Sequence, residues 1–172
     1  MNRPVRLLVI TGLPGTGKTA VAEILRPQLG PGWTILHGDD FIGVTIACYP
    51  RKPWEEIRGL LPYFVGWAVG NELSDGWSVL VEAHFRDPEE IQRFNRGVRD
   101  LFGRTLSPEI VVLEADTLAI ANRLSSDSNR EPSWIGSDRE MKFLDWLRAS
   151  RPDPSLPGTR IDVHGLSRDE LA

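Results

Sequence analysis

At 172 residues the chain is long enough for one domain with a substantial core and too short for two independent ones. Hydrophobic residues make up 41% and charged residues 26%, an ordinary globular balance, and the formal charge of −4 argues against broad nucleic-acid binding and against attraction to anionic membranes, while leaving room for a local basic channel. One cysteine, Cys48, excludes an internal disulfide, and no apolar run approaches a membrane span, so a reducing, cytoplasmic setting is the default expectation.

The first predicted strand is Val5 to Thr11, β-branched and aliphatic. It runs into Gly12-Leu13-Pro14-Gly15-Thr16-Gly17-Lys18-Thr19, which matches the phosphate-loop pattern GxxxxGK[ST] in full, and a helix with Val21, Ala22, Ile24 and Leu25 as its apolar stripe follows to Leu29. The glycines allow successive backbone N–H groups to point at one anion, and the helix adds its unpaired N-terminal donors and its dipole. In this arrangement Lys18 reaches the β- and γ-phosphates of ATP and Thr19 places its hydroxyl on Mg²⁺. Pro27 is expected to bend or end the helix, and Gly30-Pro31-Gly32 closes the unit.

Trp33 to Leu36 reads as a second strand, ending at His37-Gly38-Asp39-Asp40-Phe41. In an open parallel sheet, the carboxyl ends of strands carry the ligand chemistry. Of two carboxylates at such an end, one can take a proton from an attacking hydroxyl while the other helps to hold water and Mg²⁺; both also suit a turn or a helix cap. Residues 42–54 show no clear period. From Glu55 to Leu73 the apolar spacing predicts a helix, with Pro62 and its glycines implying a kink. Trp54, Tyr63, Phe64 and Trp67 make this stretch dense in aromatics, fit either to close over a small organic substrate or to pack the helix on the sheet.

A third strand, Trp77 to Ala83, ends in Glu82-Ala83-His84-Phe85-Arg86. Glu82 can assist Mg²⁺ through water, His84 can contact substrate, and the planar, always charged Arg86 suits an anion. Asp87-Pro88-Glu89-Glu90 carries a helix start, with Asp87 as N-cap, Pro88 at the first helical position and Glu90 completing a capping pattern. Ile91, Phe94, Val98, Leu101 and Phe102 form the stripe of that helix. Ile110 to Glu114 is the fourth strand, and a helix from Asp116 or Thr117 carries Arg123, with Arg130 beyond a polar stretch. Two arginines flanking such a segment suit a lid, about residues 123–136, that closes over phosphates. Ser137 or Asp138 caps a further helix, and Thr159 to Val163 is a last short strand before a terminal helical turn. This strand–helix rhythm predicts five parallel strands in a three-layer α/β/α sandwich.

The phosphate loop, His37-Gly38-Asp39-Asp40-Phe41, the strand Val79-Leu80-Val81-Glu82 and the Arg123/Arg130 pair together resemble the small P-loop kinases, a superfamily that includes shikimate, gluconate, nucleoside and chloramphenicol kinases and the zeta-toxin type. The resemblance covers essentially the whole chain. It implies a single kinase domain over residues 1–172, with an acceptor-binding segment at about 42–73. It further implies an acidic base, either Asp39 two residues before Phe41 or Asp40 immediately before it, and lid arginines at Arg123 and Arg130. The glycine-rich substrate turn of shikimate kinases is missing, because Glu82-Ala83-His84 stands in its place. ATP and Mg²⁺ are the implied cofactors. The expected site then has Asp39, Asp40, Lys18, Arg123 and Arg130 in catalysis and Gly12 to Thr19 with Arg123 on the nucleotide. Thr19, Asp40 and Glu82 attend the metal, and Asp39, Phe41, Trp54, Phe64, Trp67, His84 and Arg86 contact the acceptor. The reaction implied is transfer of a γ-phosphoryl group to the hydroxyl of a small molecule such as an antibiotic or a nucleoside. The alternatives are a nucleotide-hydrolysing switch that acts through a protein partner and a polynucleotide 5′-kinase.

Overall fold

The computed structural model describes residues 4–126 and 138–166. Among these residues five strands and six helices follow in the order β1 (Leu7–Gly12), α1 (Lys18–Leu29), β2 (Trp33–His37), α2 (Asp40–Cys48), α3 (Trp54–Ser74), β3 (Ser78–Glu82), α4 (Pro88–Phe102), β4 (Glu109–Glu114), α5 (Thr117–Ser126), α6 (Asp138–Ala149) and β5 (Thr159–Asp162). All strand pairs are parallel, and the sheet order is β2-β3-β1-β4-β5. The predicted α/β sandwich is therefore the observed one. Arg130, Ser137, most of the predicted lid and the expected terminal helical turn lie outside the described residues.

Alternation along the strands builds the layers. Leu7 and Val9 of β1, Val79 and Val81 of β3, and Ile110 and Val112 of β4 face one side, where they meet Val65, Val69 and Leu73 of α3 and Ile91, Phe94 and Val98 of α4. The intervening Ile10, Leu80 and Leu113 face the other side, against Ala22 and the Val21, Leu25 and Leu29 stripe of α1. Side chains that point alternately to two covered faces leave a parallel strand apolar on both, which is why these strands read as unbroken hydrophobic runs. Full burial of each such side chain stabilises the fold by about 1.5–3 kcal/mol.

One local expectation is corrected, and two helices prove continuous through a proline. Residues 42–48 form most of α2: the β-branched Ile42, Val44, Thr45 and Ile46 hide a helical period, and Thr45 turns its hydroxyl back onto the Phe41 carbonyl at 2.7 Å. Helix α1 runs on through Pro27 to Leu29. Helix α3 likewise runs through Pro62 as one element, and Gly66 and Gly70 have a packing reason. A Cβ at Gly66 would overlap the Phe94 carbonyl of α4, and one at Gly97 the Tyr63 carbonyl of α3, so the two helices touch backbone to backbone. That contact holds α3 against α4 on the sheet face that Val65, Val69 and Leu73 cover. The capping pattern at α4 forms: the Asp87 carboxylate accepts from the Glu90 N–H at 2.8 Å, while Glu90 accepts from the Arg86 N–H at 2.7 Å.

Candidate functional site

The phosphate loop joins the end of β1 to the start of α1. Gly15 and Gly17 take φ values of 82° and 94°, left-handed conformations that suit glycine and turn the chain tightly into α1. The loop braces itself, with the Thr16 hydroxyl donating to the Leu13 carbonyl at 2.8 Å. Lys18 folds back across it and donates to the carbonyls of Gly12 and Leu13, each at 3.1 Å. Burial pushes the Lys18 ammonium below its ordinary pKa, against the opposing pull of Glu82 and then Asp39. A half-buried cation held, among the described residues, by loop carbonyls, among amides at a helix start, is a cradle that fits the phosphates of a nucleotide.

At the neighbouring strand ends, His37 of β2 lies in register with Glu82 of β3. Glu82 is buried, and its Oε1 accepts from the Thr19 hydroxyl at 3.1 Å and lies 3.0 Å from His37 Nδ1. A hydroxyl backed by a carboxylate is a hard oxygen set, which suits Mg²⁺. Among the described residues no group of three or more His, Cys, Asp or Glu could hold a metal by itself. Thr19 and Glu82 therefore fit an ion that draws its other ligands from phosphate and water, as Mg²⁺ commonly does.

A cavity of about 400 Å³ opens from this point. Pro14, Gly15, Gly17, Lys18 and Thr19 line one end, with Asp39 and Glu82 beside them. Trp54, Arg58, Leu61, Pro62 and Val65 of α3 line the other end, together with His84, Glu90 and Trp146. Asp39 is the N-cap residue of α2 but makes no side-chain capping bond, so its carboxylate is not committed to the helix. His84 Nε2 lies 3.2 Å from the Ser150 carbonyl, an acceptor, and so carries the ring proton. Burial and then the charge of Lys18 depress the His84 pKa to about 4, so the ring is neutral at pH 7.

The expected acceptor residues divide. Asp39, Trp54 and His84 come together on the cavity. Phe41, Phe64, Trp67 and Arg86 are not part of its lining, and neither is Asp40, expected at the base or the metal. Phe41 packs against the core beside Leu36 and Leu61, and Phe64 pairs its ring with Tyr49 and Tyr63. Trp67 is 48% exposed. Arg86 is bound to the buried Glu90 carboxylate at 2.6 and 2.9 Å. Asp40 is the first residue of α2, exposed, where a negative charge suits the helix dipole. Arg123 donates to the carbonyls of Val163 and Leu166 at 2.7 and 2.8 Å, linking α5 to the segment after β5.

Arg58, Leu61, Pro62, Val65, Glu90 and Trp146 join the cavity although the sequence does not single them out as site residues. Arg58, Leu61, Pro62 and Val65 share one face of α3 at helical spacing, a signal hidden by a search for aromatics. Trp146 comes from α6, and nothing local in the sequence brings it to the cavity.

No family model matches the sequence, and no curated protein matches it. Among solved structures, the chain is similar to a sugar kinase from Janibacter sp. HTCC2649, with 17% identity, a TM-score of 0.68, and coverage of 98% of this chain and 90% of that one. A gluconokinase from Sinorhizobium meliloti 1021 shares 16% identity with a TM-score of 0.65, over 98% of this chain and 88% of the other. The tunicamycin resistance protein of Deinococcus radiodurans shares 19% with a TM-score of 0.58, over 97% and 91%. The chain has the fold of the small P-loop kinases. The likeness is one of fold, spread over nearly the whole chain. Among the described residues no helix is long and apolar enough to cross a membrane.

Proposed function

We propose that this chain is an ATP-dependent kinase that transfers the γ-phosphoryl group to a hydroxyl of a small organic acceptor. The observation that carries the reading is the single cavity in which Lys18, Thr19 and Asp39 meet Trp54, Arg58 and the Leu61–Val65 wall. A nucleotide on the loop and an acceptor against α3 would then face each other across Asp39. In the proposed step Asp39 takes the proton of the acceptor hydroxyl as its oxygen bonds to the γ-phosphorus, and the bond from that phosphorus to the bridging oxygen of ADP breaks. Lys18 exchanges the loop carbonyls for phosphate oxygens and stabilises the charge on the transferring group. Mg²⁺, when bound, supplies charge neutralisation on the β- and γ-phosphates. Thr19 would hold it directly, and Glu82 would orient that hydroxyl and a metal-bound water.

Asp39 is preferred to Asp40 because it lines the cavity and its charge acts on Lys18. The lid arginines draw no support from the described geometry, so the reading rests on Lys18, Thr19, Asp39 and Glu82. Arg58 narrows the acceptor. Among the described residues its guanidinium has no hydrogen-bond or ion-pair partner, and burial and the like charge of Arg86 push its pKa down against the weaker, longer-range pull of Glu90 and Asp87. A cation left in that state calls for an anion, so the reading favours an acceptor with an apolar or ring portion and a carboxylate or phosphate.

The test is incubation with γ-labelled ATP, Mg²⁺ and pooled hydroxyl compounds, each anionic member matched by a neutral counterpart. Mass spectrometry then seeks a product heavier by one phosphoryl group. Label in one organic product supports the kinase. Free phosphate alone, indifferent to every hydroxyl compound and raised by a protein partner, favours the hydrolytic switch.

A further inference from the structure

The Glu82 carboxylate needs donors, because its side chain is only 8% exposed. Among the described residues it has two, and both go to Oε1: the Thr19 hydroxyl at 3.1 Å and His37 Nδ1 at 3.0 Å. A carboxylate oxygen can only accept here, so Nδ1 carries a hydrogen. The other ring nitrogen, Nε2, lies 3.7 Å from Glu23 Oε1. Glu23 is itself gripped by Arg26 through two bonds, at 2.8 and 2.7 Å. Thr19, Glu23 and Arg26 lie on one face of α1, four and three residues apart. A continuous chain of contacts therefore runs from Arg26 at the surface through Glu23, His37 and Glu82 to the Thr19 hydroxyl.

We propose that His37 is a positioning residue for the magnesium of the bound nucleotide: it fixes the Glu82 carboxylate so that Glu82 holds the Thr19 hydroxyl and leaves Oε2 toward metal-bound water. The inference rests on the nucleotide-binding part of the function proposed above, and not on the identity of any acceptor. Without the Nδ1 donor, Glu82 keeps one partner and gains rotational freedom. The Thr19 hydroxyl then loses its fixed direction. Such supporting contacts around a metal commonly change its affinity by roughly 10–100-fold. The phosphate loop itself is untouched by the change, so nucleotide affinity without metal stays as it is. A role confined to packing would instead lower the melting temperature and leave the metal dependence alone.

Two variants separate these outcomes. His37→Phe keeps a planar ring of similar size without a donor, and His37→Asn offers an amide N–H close to the Nδ1 position. The probe is a fluorescent N-methylanthraniloyl ADP, titrated with Mg²⁺ in the absence of any acceptor, alongside thermal melting. The expected result is a Mg²⁺ midpoint raised roughly 10–100-fold in His37→Phe, near-wild-type behaviour in His37→Asn, and equal metal-free ADP affinity in all three proteins. An unchanged midpoint in folded His37→Phe overturns the proposal, as does an equal rise in both variants. If His37→Phe does not fold, His37→Ala takes its place beside His37→Asn, and an unchanged midpoint in His37→Ala or an equal rise in both overturns the proposal in the same way. Because the readout is binding, a protein that shows the shift but phosphorylates no hydroxyl compound refutes the kinase reading alone. One that transfers phosphoryl groups with an unmoved midpoint refutes the His37 assignment alone.

Discussion

The two ends of the cavity are built by different rules. At the proposed phosphate end, Gly12 to Thr19 is one continuous segment whose backbone would do the work, and the chain order of its residues is the site. At the acceptor end, the wall is assembled from α3, the residues after β3, the start of α4 and Trp146 of α6, so contributors about 90 residues apart in sequence meet only through packing. Backbone chemistry leaves a motif. Packed side chains leave only a face.

Of the two ends, breaking the phosphate end should give the larger loss. Lys18→Ala removes a half-buried charge otherwise held by two carbonyls, so transfer should fall by about 10²–10³-fold, while the melting temperature changes little because Lys18 carries none of the sheet packing. A coupled assay beside a melting curve checks both. Near-wild-type turnover in the folded variant would refute the phosphate role.

At the acceptor end, Arg58→Gln should raise KM for an anionic acceptor by roughly 10–100-fold, the effect of removing a charge-assisted contact, with kcat little changed and the KM for ATP unmoved. A neutral counterpart of the same acceptor should not notice the change. If both counterparts respond alike, Arg58 shapes the wall and recognises no anion.

The geometry behind that wall can be broken separately. Gly97→Ala places a methyl group against the Tyr63 carbonyl. Backbone cannot yield as a flexible side chain does, so unfolding in urea should show a loss of about 3 kcal/mol, the upper end for overpacking. Acceptor KM should rise with it, since α3 must move. A Gly97→Ala protein of unchanged stability would mean that the two helices have room to part.

The smallest effect concerns His84. Its folded-state pKa of about 4 lies below the 6.5 of an unperturbed imidazole, so the unfolded chain binds the extra proton first. Its contribution is present above pH 6.5 and is lost as pH falls toward 4, and discounted for its remaining exposure it is about 2 kcal/mol. Urea unfolding at pH 7.5 and 4.5 should therefore show a smaller drop for His84→Gln than for the parent protein. Equal drops would show that the ring is already hydrated or charged.

The same contrast explains what is legible in the sequence. The strands β1 to β5, the loop and the α4 cap are readable because short β-branched and aliphatic runs, glycine spacing and Asp-x-x-Glu are local signals. So is the pairing of Asp39 with the phosphate loop, since both sit at carboxyl ends of parallel strands. Helix α2 is hidden by β-branched residues whose local preference runs against the helix that tertiary packing selects. Gly66 and Gly97 suggest flexibility or nothing at all, because their reason is a carbonyl on another helix. Phe41, Phe64 and Trp67 draw attention as aromatics, yet size alone does not tell a wall from a core or a surface. Arg58 faces the cavity while Arg86 is taken up by Glu90, and no spacing in the sequence distinguishes those two fates.

The central claim is that Asp39 joins the two ends, and the paired variants Asp39→Asn and Asp40→Asn test it most directly in the labelled-ATP assay. Both changes preserve size, and both leave the phosphate loop intact. Asp39→Asn should lower transfer to the acceptor by about 10²–10⁴-fold, the usual contribution of a positioned base, with ADP binding unchanged, while Asp40→Asn stays within a few-fold of the parent protein. Equal losses in the two variants, or full activity in Asp39→Asn, would contradict the account.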